Sequence, residues 1–160
     1  MMPSVFSVAD IKYILDPTLK SWILQGHTNL GTPFQVIDVR DSDYVGGHII
    51  NSLHIESNKF KNEESAETLS NLLKKLRENG QNTVVFHCML SQQRGPSSAM
   101  RFLRYLNERT SASNDQDEIS FIENMKVCVL RGGFGKWQQE YGEDPQLTEN
   151  YAKDVWKYGY

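Results

Sequence analysis

Three short apolar runs, each rich in β-branched residues, constrain the fold of this chain more than any other feature. They are "FQVIDV" (34–39), "TVVFH" (83–87) and "KVCVL" (126–130). Each is shorter than an ordinary helix and lacks the polar alternation of a strand with one solvated face. Such runs are typical of strands in parallel sheets that helices cover. The sequence therefore predicts an α/β fold, with a central, mostly parallel sheet flanked by helices on both faces.

The segments between these runs have helical periodicity and residues that favour helix ends. Asp16 is the expected N-cap of the first helix, and Pro17 and Pro96 are the expected first residues of the first and third helices. The segment 48–55 is predicted to be a strand with a turn in its middle, and the polar segment 111–118 a surface loop. Helices are predicted over 16–26, 64–80, 95–109, 119–124 and 132–142.

Length, charge and cysteine content exclude several classes of function. A chain of 160 residues is long enough for one domain with its own core, and a net charge of −3 argues against bulk binding to nucleic acid or membrane. No apolar run approaches the ~20 residues of a membrane span, and "MMPSVFSVADIK" does not resemble a secretory signal. Two cysteines forty residues apart predict neither a disulfide framework nor a metal site. We therefore expect a reducing compartment, the cytoplasm or the nucleus.

The stretch "VVFHCMLSQQRGPSSA" (84–99) carries the chemistry that we expect of this chain. A buried strand ends at His87 and Cys88, five residues follow, and Arg94 stands where the next helix begins. Backbone N–H groups of a loop that enters a helix converge on one point and form an anion site. Arg94 adds a planar fork of donors that suits two oxygens of phosphate or arsenate. The expected backbone donors are those of Met89, Leu90, Ser91, Gln92 and Gln93.

Cys88 is the predicted nucleophile of this site. The positive field of the loop would favour its thiolate at neutral pH. A thiolate beneath a phosphomonoester can attack phosphorus in line, giving a cysteinyl-phosphate that water hydrolyses. Arg94 and the loop amides would stabilise the charge on the equatorial oxygens. His87 is expected to fix the loop by hydrogen bonding, since a thiolate needs no base, and no metal or organic cofactor is required.

Several alternatives stay open for these residues. Cys88 could be a buried structural cysteine, with Arg94 on the surface. Cys128 could be an inert core residue, or a thiol that forms a disulfide with oxidised Cys88, which requires disulfide reach. The loop contains no carboxylate to protonate a leaving alcohol, so a general acid must come from elsewhere. The candidates near another predicted strand end are Asp38, Asp41 and Asp43.

The stretch "FHCMLSQQRGPSSA" resembles the active-site loop of the M-phase inducer phosphatases, which share the rhodanese fold. Two further stretches, "VIDVRDSDYVGGHIINSLHI" (36–55) and "VLRGGFGKWQQEY" (129–141), are similar to rhodanese-type domains. The resemblance is greatest to small fungal single-domain rhodanese-like phosphatases, which are relatives of the fungal arsenate reductases. It implies a rhodanese-like catalytic domain over 9–142 and a C-terminal tail over 143–160 that packs on this domain or extends from it.

The resemblance also implies a reaction. Sulfurtransferases of this fold have a shorter loop after the cysteine, whereas phosphatase-type members have the longer spacing found between Cys88 and Arg94. It thus implies a protein tyrosine or dual-specificity type of phosphatase, with structural support from Asp38 and Arg40. Because the loop lacks a carboxylate, we expect acidic leaving groups, such as those of phosphotyrosine and aryl phosphates.

Three other activities are weighed against phosphatase activity. The first is arsenate reduction completed by glutathione and glutaredoxin, the second is sulfur transfer from thiosulfate, and the third is non-catalytic binding of an anion or phosphopeptide. The expected partner in the main interpretation is a phosphorylated protein or small molecule. Neither nucleic acid nor a membrane is an expected partner, and the chain is expected to be a monomer or a weak dimer.

Overall fold

Five short strands form one parallel sheet in the computed structural model, which describes residues 6–158. The strands of the described residues, two of which lie outside this sheet, are β1 (Lys12–Ile14), β2 (Phe34–Asp38), β3 (His48–Ile49), β4 (Leu53–His54), β5 (Thr83–His87), β6 (Lys126–Leu130) and β7 (Thr148–Glu149). Their order in the sheet is β1–β6–β5–β2–β4, and every pair is parallel. Strands β3 and β7 form a separate antiparallel pair.

Helices cover both faces of this sheet. They are α1 (Asp16–Gln25), α2 (Ser65–Glu78), α3 (Arg94–Ala112), α4 (Gln116–Glu123), α5 (Gly133–Tyr141) and α6 (Lys153–Lys157), with 3₁₀ turns at Val8–Asp10 and Ser57–Phe60. Helices α2, α3 and α4 pack their apolar residues against one face, and α1 and α5 pack against the other. The predicted architecture, a mostly parallel sheet between two helical layers, is confirmed.

Strand β5 lies in the middle of the sheet, and all five of its residues are buried. Its bounds, 83–87, and those of β6, 126–130, agree with the sequence prediction. Continuous apolar runs of this kind fit the interior of a parallel sheet because helices cover both faces. The residue that follows β5 is therefore held between two well-ordered neighbouring strands.

The turn predicted in the middle of 48–55 is present, but the segment forms two strands rather than one. His48–Ile49 and Leu53–His54 are separate strands that belong to different sheets. Asn51, between them, has a φ of 58°, and this left-handed conformation turns the chain. Hydrophobic pattern alone does not reveal that the two halves of this segment join different sheets.

Two predicted helix starts are also wrong in position. Leu15 is the N-cap of α1, so that Asp16 and Pro17 are its first two residues. Helix α3 begins at Arg94, which makes Pro96 its third residue. Both prolines still lie in the first turn, where the missing N–H group is tolerated.

The segment 111–118 is mostly helical, contrary to the predicted loop. Helix α3 continues to Ala112, and α4 begins at Gln116. The Asp115 carboxylate accepts hydrogen bonds from the backbone N–H groups of Asp117 and Glu118. This N-cap starts a helix in a polar segment, because it satisfies donors that the helix itself leaves unpaired.

The segment after α5 packs on the rest of the chain as far as the structure describes it, with Gly159 and Tyr160 outside that range. Strand β7 pairs with β3, and Trp156 Nε1 donates a hydrogen bond of 2.9 Å to the carbonyl of Gly46. The Trp156 ring also lies 5.5 Å from the ring of Phe134. Among the helices of residues 6–158, none is long and apolar enough to cross a membrane.

Candidate active site

The carboxyl ends of β2 and β5 bring the predicted site residues together. Asp38 and His87 are the last residues of these two strands and are paired in register. Cys88 follows directly, and the loop after it enters α3 at Arg94. In open α/β sheets, ligands bind at such strand ends.

The Cys88 sulfur faces backbone donors of the loop and of the first turn of α3. The N–H groups of Ser91 and Gly95 point to Sγ at 3.2 and 3.4 Å. Cys88 is only 3% exposed, and the loop above it forms an open pocket of about 420 Å³. N–H groups so placed donate more strongly to a negatively charged acceptor than to a neutral one. The pocket is lined by Asp43, Cys88, Met89, Leu90, Gln92, Gln93 and Arg94.

Ser91 contacts Cys88 through both its side chain and its backbone. Its φ of 56° lies in the left-handed region, and the residue is 6% exposed. Its hydroxyl oxygen accepts a hydrogen bond of 3.4 Å from the Cys88 N–H group, while its own N–H points to the sulfur. Ser91 therefore shapes the loop from within, whereas Met89, Leu90, Gln92 and Gln93 face the pocket.

A glycine turn at the start of α5 supports the loop from below. The N–H groups of Phe134 and Gly135 donate to the carbonyls of Cys88 and Met89 at 2.9 and 2.8 Å. Gly133 has a φ of 58°, and a Cβ there would lie 2.5–2.6 Å from those two carbonyl oxygens. Only glycine allows this close approach of two backbones.

His87 is fully buried behind the loop. Its Nδ1 lies 3.1 Å from the carbonyl of Cys88; because a carbonyl can only accept, we assign the ring proton to Nδ1. Nε2 lies 3.7 Å from Asp38 Oδ2 and has no hydrogen-bond partner among the described residues. Burial lowers the pKa of His87, and the Asp38 charge only partly opposes this effect. The ring is thus in contact with the loop backbone, and its role in fixing the loop stays a prediction.

Asp38 and Arg40 form an ion pair with both side chains fully buried. Arg40 Nη2 lies 2.7 Å from Asp38 Oδ2, and Nε bonds both carboxylate oxygens at 3.0–3.1 Å. Burial alone would raise the pKa of Asp38, but attraction to His87 and hydrogen bonds from Arg40 lower it below its ordinary value. Arg40 also donates to the carbonyls of Val45 and Gly47 at 3.2 and 2.8 Å, which fixes the loop after β2.

Arg94 makes contacts that the sequence did not reveal. Its Nη1 and Nη2 each lie 2.7 Å from one carboxylate oxygen of Asp43, and Nη1 lies 3.4 Å from Asp41 Oδ2. The hydrogen bonds from Arg94 hold the pKa of Asp43 below its usual value, and Asp43 in turn raises the pKa of Arg94. Asp43 is therefore poorly suited to protonate a leaving group at neutral pH. Its place after a strand that neighbours β5 was the only signal of this contact in the sequence.

Cys128 lies too far from Cys88 to form a disulfide with it. Cys128 is paired with Val85, three residues before Cys88. At ~3.3 Å per residue, the Cα atoms of the two cysteines are about 10 Å apart along the strand direction, whereas disulfides require less than about 7 Å. The two side chains also belong to apolar clusters on opposite faces of the sheet.

A larger cleft, of about 530 Å³, is lined by residues of α2, α3 and α4. Its charged groups Arg77 and Arg109 are both paired with Glu118, and it is not lined by a cysteine. Within residues 6–158, no group of three or more histidine, cysteine or acidic residues could hold a metal ion.

Comparisons with known proteins agree with this geometry. The CDC25-like phosphatase YCH1 of Saccharomyces cerevisiae is 45% identical over 159 residues, which cover 95% of this chain and 98% of YCH1. A solved structure, described as Ygr203w, a yeast protein tyrosine phosphatase of the rhodanese family, matches with a TM-score of 0.79 and 42% identity. This match covers 94% of this chain and 99% of the other.

A third comparison concerns a different activity. The structure of an As-Sb reductase from Leishmania major matches with a TM-score of 0.63 and 28% identity, covering 86% of this chain and 84% of the other. The model of the rhodanese-like domain matches residues 22–140. Because this match covers well over half of the chain, with four of the five strands of the parallel sheet, the Cys88 loop and the glycine turn, the chain belongs to the rhodanese-like domain family.

Proposed function

We propose that this protein is a cysteine-dependent phosphatase of the protein tyrosine or dual-specificity type. The observation that carries the proposal is the position of Cys88 Sγ, which receives N–H groups of Ser91 and Gly95 at the start of the long helix α3. The helix N-terminus and the loop amides add positive potential for a phosphate. The similarity to a CDC25-like phosphatase and to a protein tyrosine phosphatase of the rhodanese family supports the same reaction.

The reaction proceeds in two displacements. In the first, the Cys88 thiolate forms an S–P bond as the P–O bond to the leaving group breaks, and the leaving group departs with the electron pair. In the second, water attacks phosphorus, loses a proton to solvent, and the S–P bond breaks, which returns the thiolate and releases inorganic phosphate. Arg94 and the amides of residues 89–93 stabilise the equatorial oxygens in both steps.

The preferred substrates are phosphomonoesters with acidic leaving groups, such as phosphotyrosine or aryl phosphates. The loop carries no carboxylate, and Asp43 stays ionised beside Arg94. A leaving group that departs without a proton is therefore favoured. The substrate is a phosphorylated protein or small molecule, and the enzyme acts on it in the cytoplasm or the nucleus.

A trapping experiment tests the proposal. The wild-type protein is mixed with p-nitrophenyl phosphate, quenched in acid and analysed by peptide mass spectrometry. We expect a phosphate adduct on Cys88, loss of turnover in Cys88→Ser, and full activity in the matched variant Cys128→Ser. Turnover that survives in Cys88→Ser would exclude the mechanism, and oxyanion binding without turnover in the wild type would indicate a non-catalytic module.

Arsenate reduction is the second candidate, because the fold also matches the As-Sb reductase. The thiolate would attack arsenate and expel hydroxide, and two electrons from thiols would reduce As(V) to As(III). Cys128 is out of reach, so the thiols must come from glutathione and glutaredoxin. Arsenite release under these conditions, without hydrolysis of aryl phosphates, would favour this activity. Cyanide-dependent thiocyanate formation from thiosulfate would instead indicate sulfur transfer.

A further inference from the structure

Arg94 has one of its two donor edges occupied. The Asp43 carboxylate binds the edge formed by Nη1 and Nη2, each of which lies 2.7 Å from a different carboxylate oxygen. Asp41 Oδ2 lies 3.4 Å from Nη1, which is not part of the edge formed by Nε and Nη2. A guanidinium has five N–H donors, and its second bidentate edge consists of Nε and the outer hydrogen of Nη2. The contacts with these two carboxylates leave that edge for another anion.

The two carboxylates are themselves fixed by other hydrogen bonds. Asp43 Oδ1 accepts the backbone N–H of Asp41 at 3.0 Å. Asp41 in turn accepts the hydroxyl of Ser57 at 2.6 Å and the backbone N–H of Asn58 at 3.2 Å. The buried Arg40 holds the following residues through backbone carbonyls. The loop after β2, which carries Asp41 and Asp43, is therefore held in place by hydrogen bonds within the protein, and it can impose an orientation on Arg94.

We propose that Asp43 is a positioning residue, which turns the Nε edge of Arg94 toward the oxyanion above Cys88. The proposal rests on the proposed function only in that the oxyanion occupies the Cys88 pocket. Asp43 and Arg94 both line this pocket. Holding a flexible side chain in its productive geometry before binding lowers the entropy lost on binding and in the transition state. Asp43 touches neither the reacting atoms nor the nucleophile in this role.

Electrostatics and positioning make opposite predictions for Asp43. Removing a negative charge beside the pocket would by itself tighten the binding of a dianion. Removing the partner that orients Arg94 would instead weaken it, because the guanidinium must then be ordered by the ligand. The direction of the change on neutralisation of Asp43 therefore distinguishes the two effects.

Tungstate, a tetrahedral dianion, is a suitable probe because its binding requires no turnover. Calorimetry would compare wild-type protein, Asp43→Asn, Asp43→Glu and the matched control Asp117→Asn, an exposed residue of α4. We expect roughly tenfold weaker binding in Asp43→Asn, partial recovery in Asp43→Glu, and no change in the control. With p-nitrophenyl phosphate, Asp43→Asn should lower kcat as well as raise KM, since Arg94 contacts the transition state.

Two results would overturn the proposal: unchanged or tighter tungstate binding in Asp43→Asn, or the absence of tungstate binding in the wild type. Thermal unfolding of each variant checks that the fold is intact. If Asp43→Asn is unfolded, Asp43→Glu decides the question, since it keeps the charge and displaces the carboxylate: weaker tungstate binding than in the wild type supports the positioning role, and unchanged or tighter binding contradicts it. If tungstate binds as expected but no substrate turns over, the positioning role holds and the proposed phosphatase activity fails.

Discussion

His87 Nε2 faces Asp38 Oδ2 across 3.7 Å, and both side chains are fully buried directly behind the Cys88 loop. Burial disfavours a charged imidazole, and the pKa of His87 is accordingly lowered. The pKa of Asp38 is lowered although burial opposes this, and Arg40 hydrogen-bonds its carboxylate through Nε and Nη2. The Cys88 loop is therefore supported by a neutral His87 ring and an ionised Asp38 carboxylate.

This arrangement predicts that acid destabilises the fold in two stages. The folded protein binds fewer protons than the unfolded chain at His87, whose ordinary pKa is 6.5, so stability falls as the pH drops below that value. Asp38 has an ordinary pKa of 3.8 that folding lowers, so its contribution is present above 3.8 and is lost as the pH falls through the folded value. For each proton, the free energy of unfolding should decline by up to about 1.4 kcal/mol per pH unit.

Urea unfolding between pH 8 and pH 3 measures this profile. His27→Asn, which alters an exposed ring, serves as the control for the loss of one histidine. A free energy of unfolding that stays constant from pH 7.5 to pH 5 would contradict the assignment of a neutral buried His87.

The separation of the two cysteines predicts their oxidation chemistry. Burial raises the pKa of Cys128 to about 11, so this thiol should react slowly with iodoacetamide at neutral pH. Hydrogen peroxide should oxidise Cys88 without forming an internal disulfide, because Cys128 lies on the other face of the sheet. Intact-protein and peptide mass spectrometry checks both points. A Cys88–Cys128 cross-link in more than a trace of the native protein would show that the sheet opens in solution.

The glycine turn below the loop predicts a strong effect of one methyl group. Gly133→Ala places a Cβ against the carbonyls of Cys88 and Met89, in addition to the strain of a positive φ. Gly31→Ala is the matched control, since Gly31 has a φ of 77° but open space around it. The control should lose about 1–2 kcal/mol of stability and keep its activity. Gly133→Ala should lose more stability and most activity, as measured by urea unfolding and by p-nitrophenyl phosphate turnover. Equal effects of the two changes would argue against a supporting role for this turn.

Leu90 predicts a preference for aromatic substrates within the proposed activity. Its side chain lines the Cys88 pocket and is 54% exposed, so it offers apolar surface to a substrate ring. Leu90→Ser should reduce kcat/KM for aryl phosphates several-fold, by the loss of roughly 1 kcal/mol of apolar contact, and leave tungstate binding unchanged. Leu30→Ser, at a more exposed leucine outside the pocket, is the control. An equal loss of tungstate binding would mean that Leu90 shapes the loop rather than contacting the ring.

The sequence predicted the centre of the fold better than its edges. β5 and β6 were found with their bounds because an apolar run between two helical layers is encoded locally. In the region 48–55 the turn was predicted, but the division into strands of two different sheets was not, since hydrophobic pattern does not record which strands pair. The polar segment 111–118 was misread because Ser, Asn and Asp favour both loops and helix N-caps, and here Asp115 acts as a cap.

The site was predictable in its loop and not in its surroundings. The order of Cys88, five residues and Arg94 follows from one continuous stretch of sequence. The partner of Arg94 does not, because Asp43 is 51 residues away along the chain and meets it only when β2 and β5 pair. For the same reason, sequence reasoning considered Asp43 as a general acid, whereas its pKa and its contacts favour a role as an ion-pair partner.

The closure of the glycine turn on the Cys88 loop has a consequence for the newly made chain. A protein emerges from the ribosome with its N-terminal part first. Cys88 therefore leaves the exit tunnel well before Gly133 and Phe134. Until that later segment emerges, the carbonyls of Cys88 and Met89 lack the N–H groups that support them. The loop around Cys88 therefore gains these two hydrogen bonds only after residues 133–135 have left the ribosome.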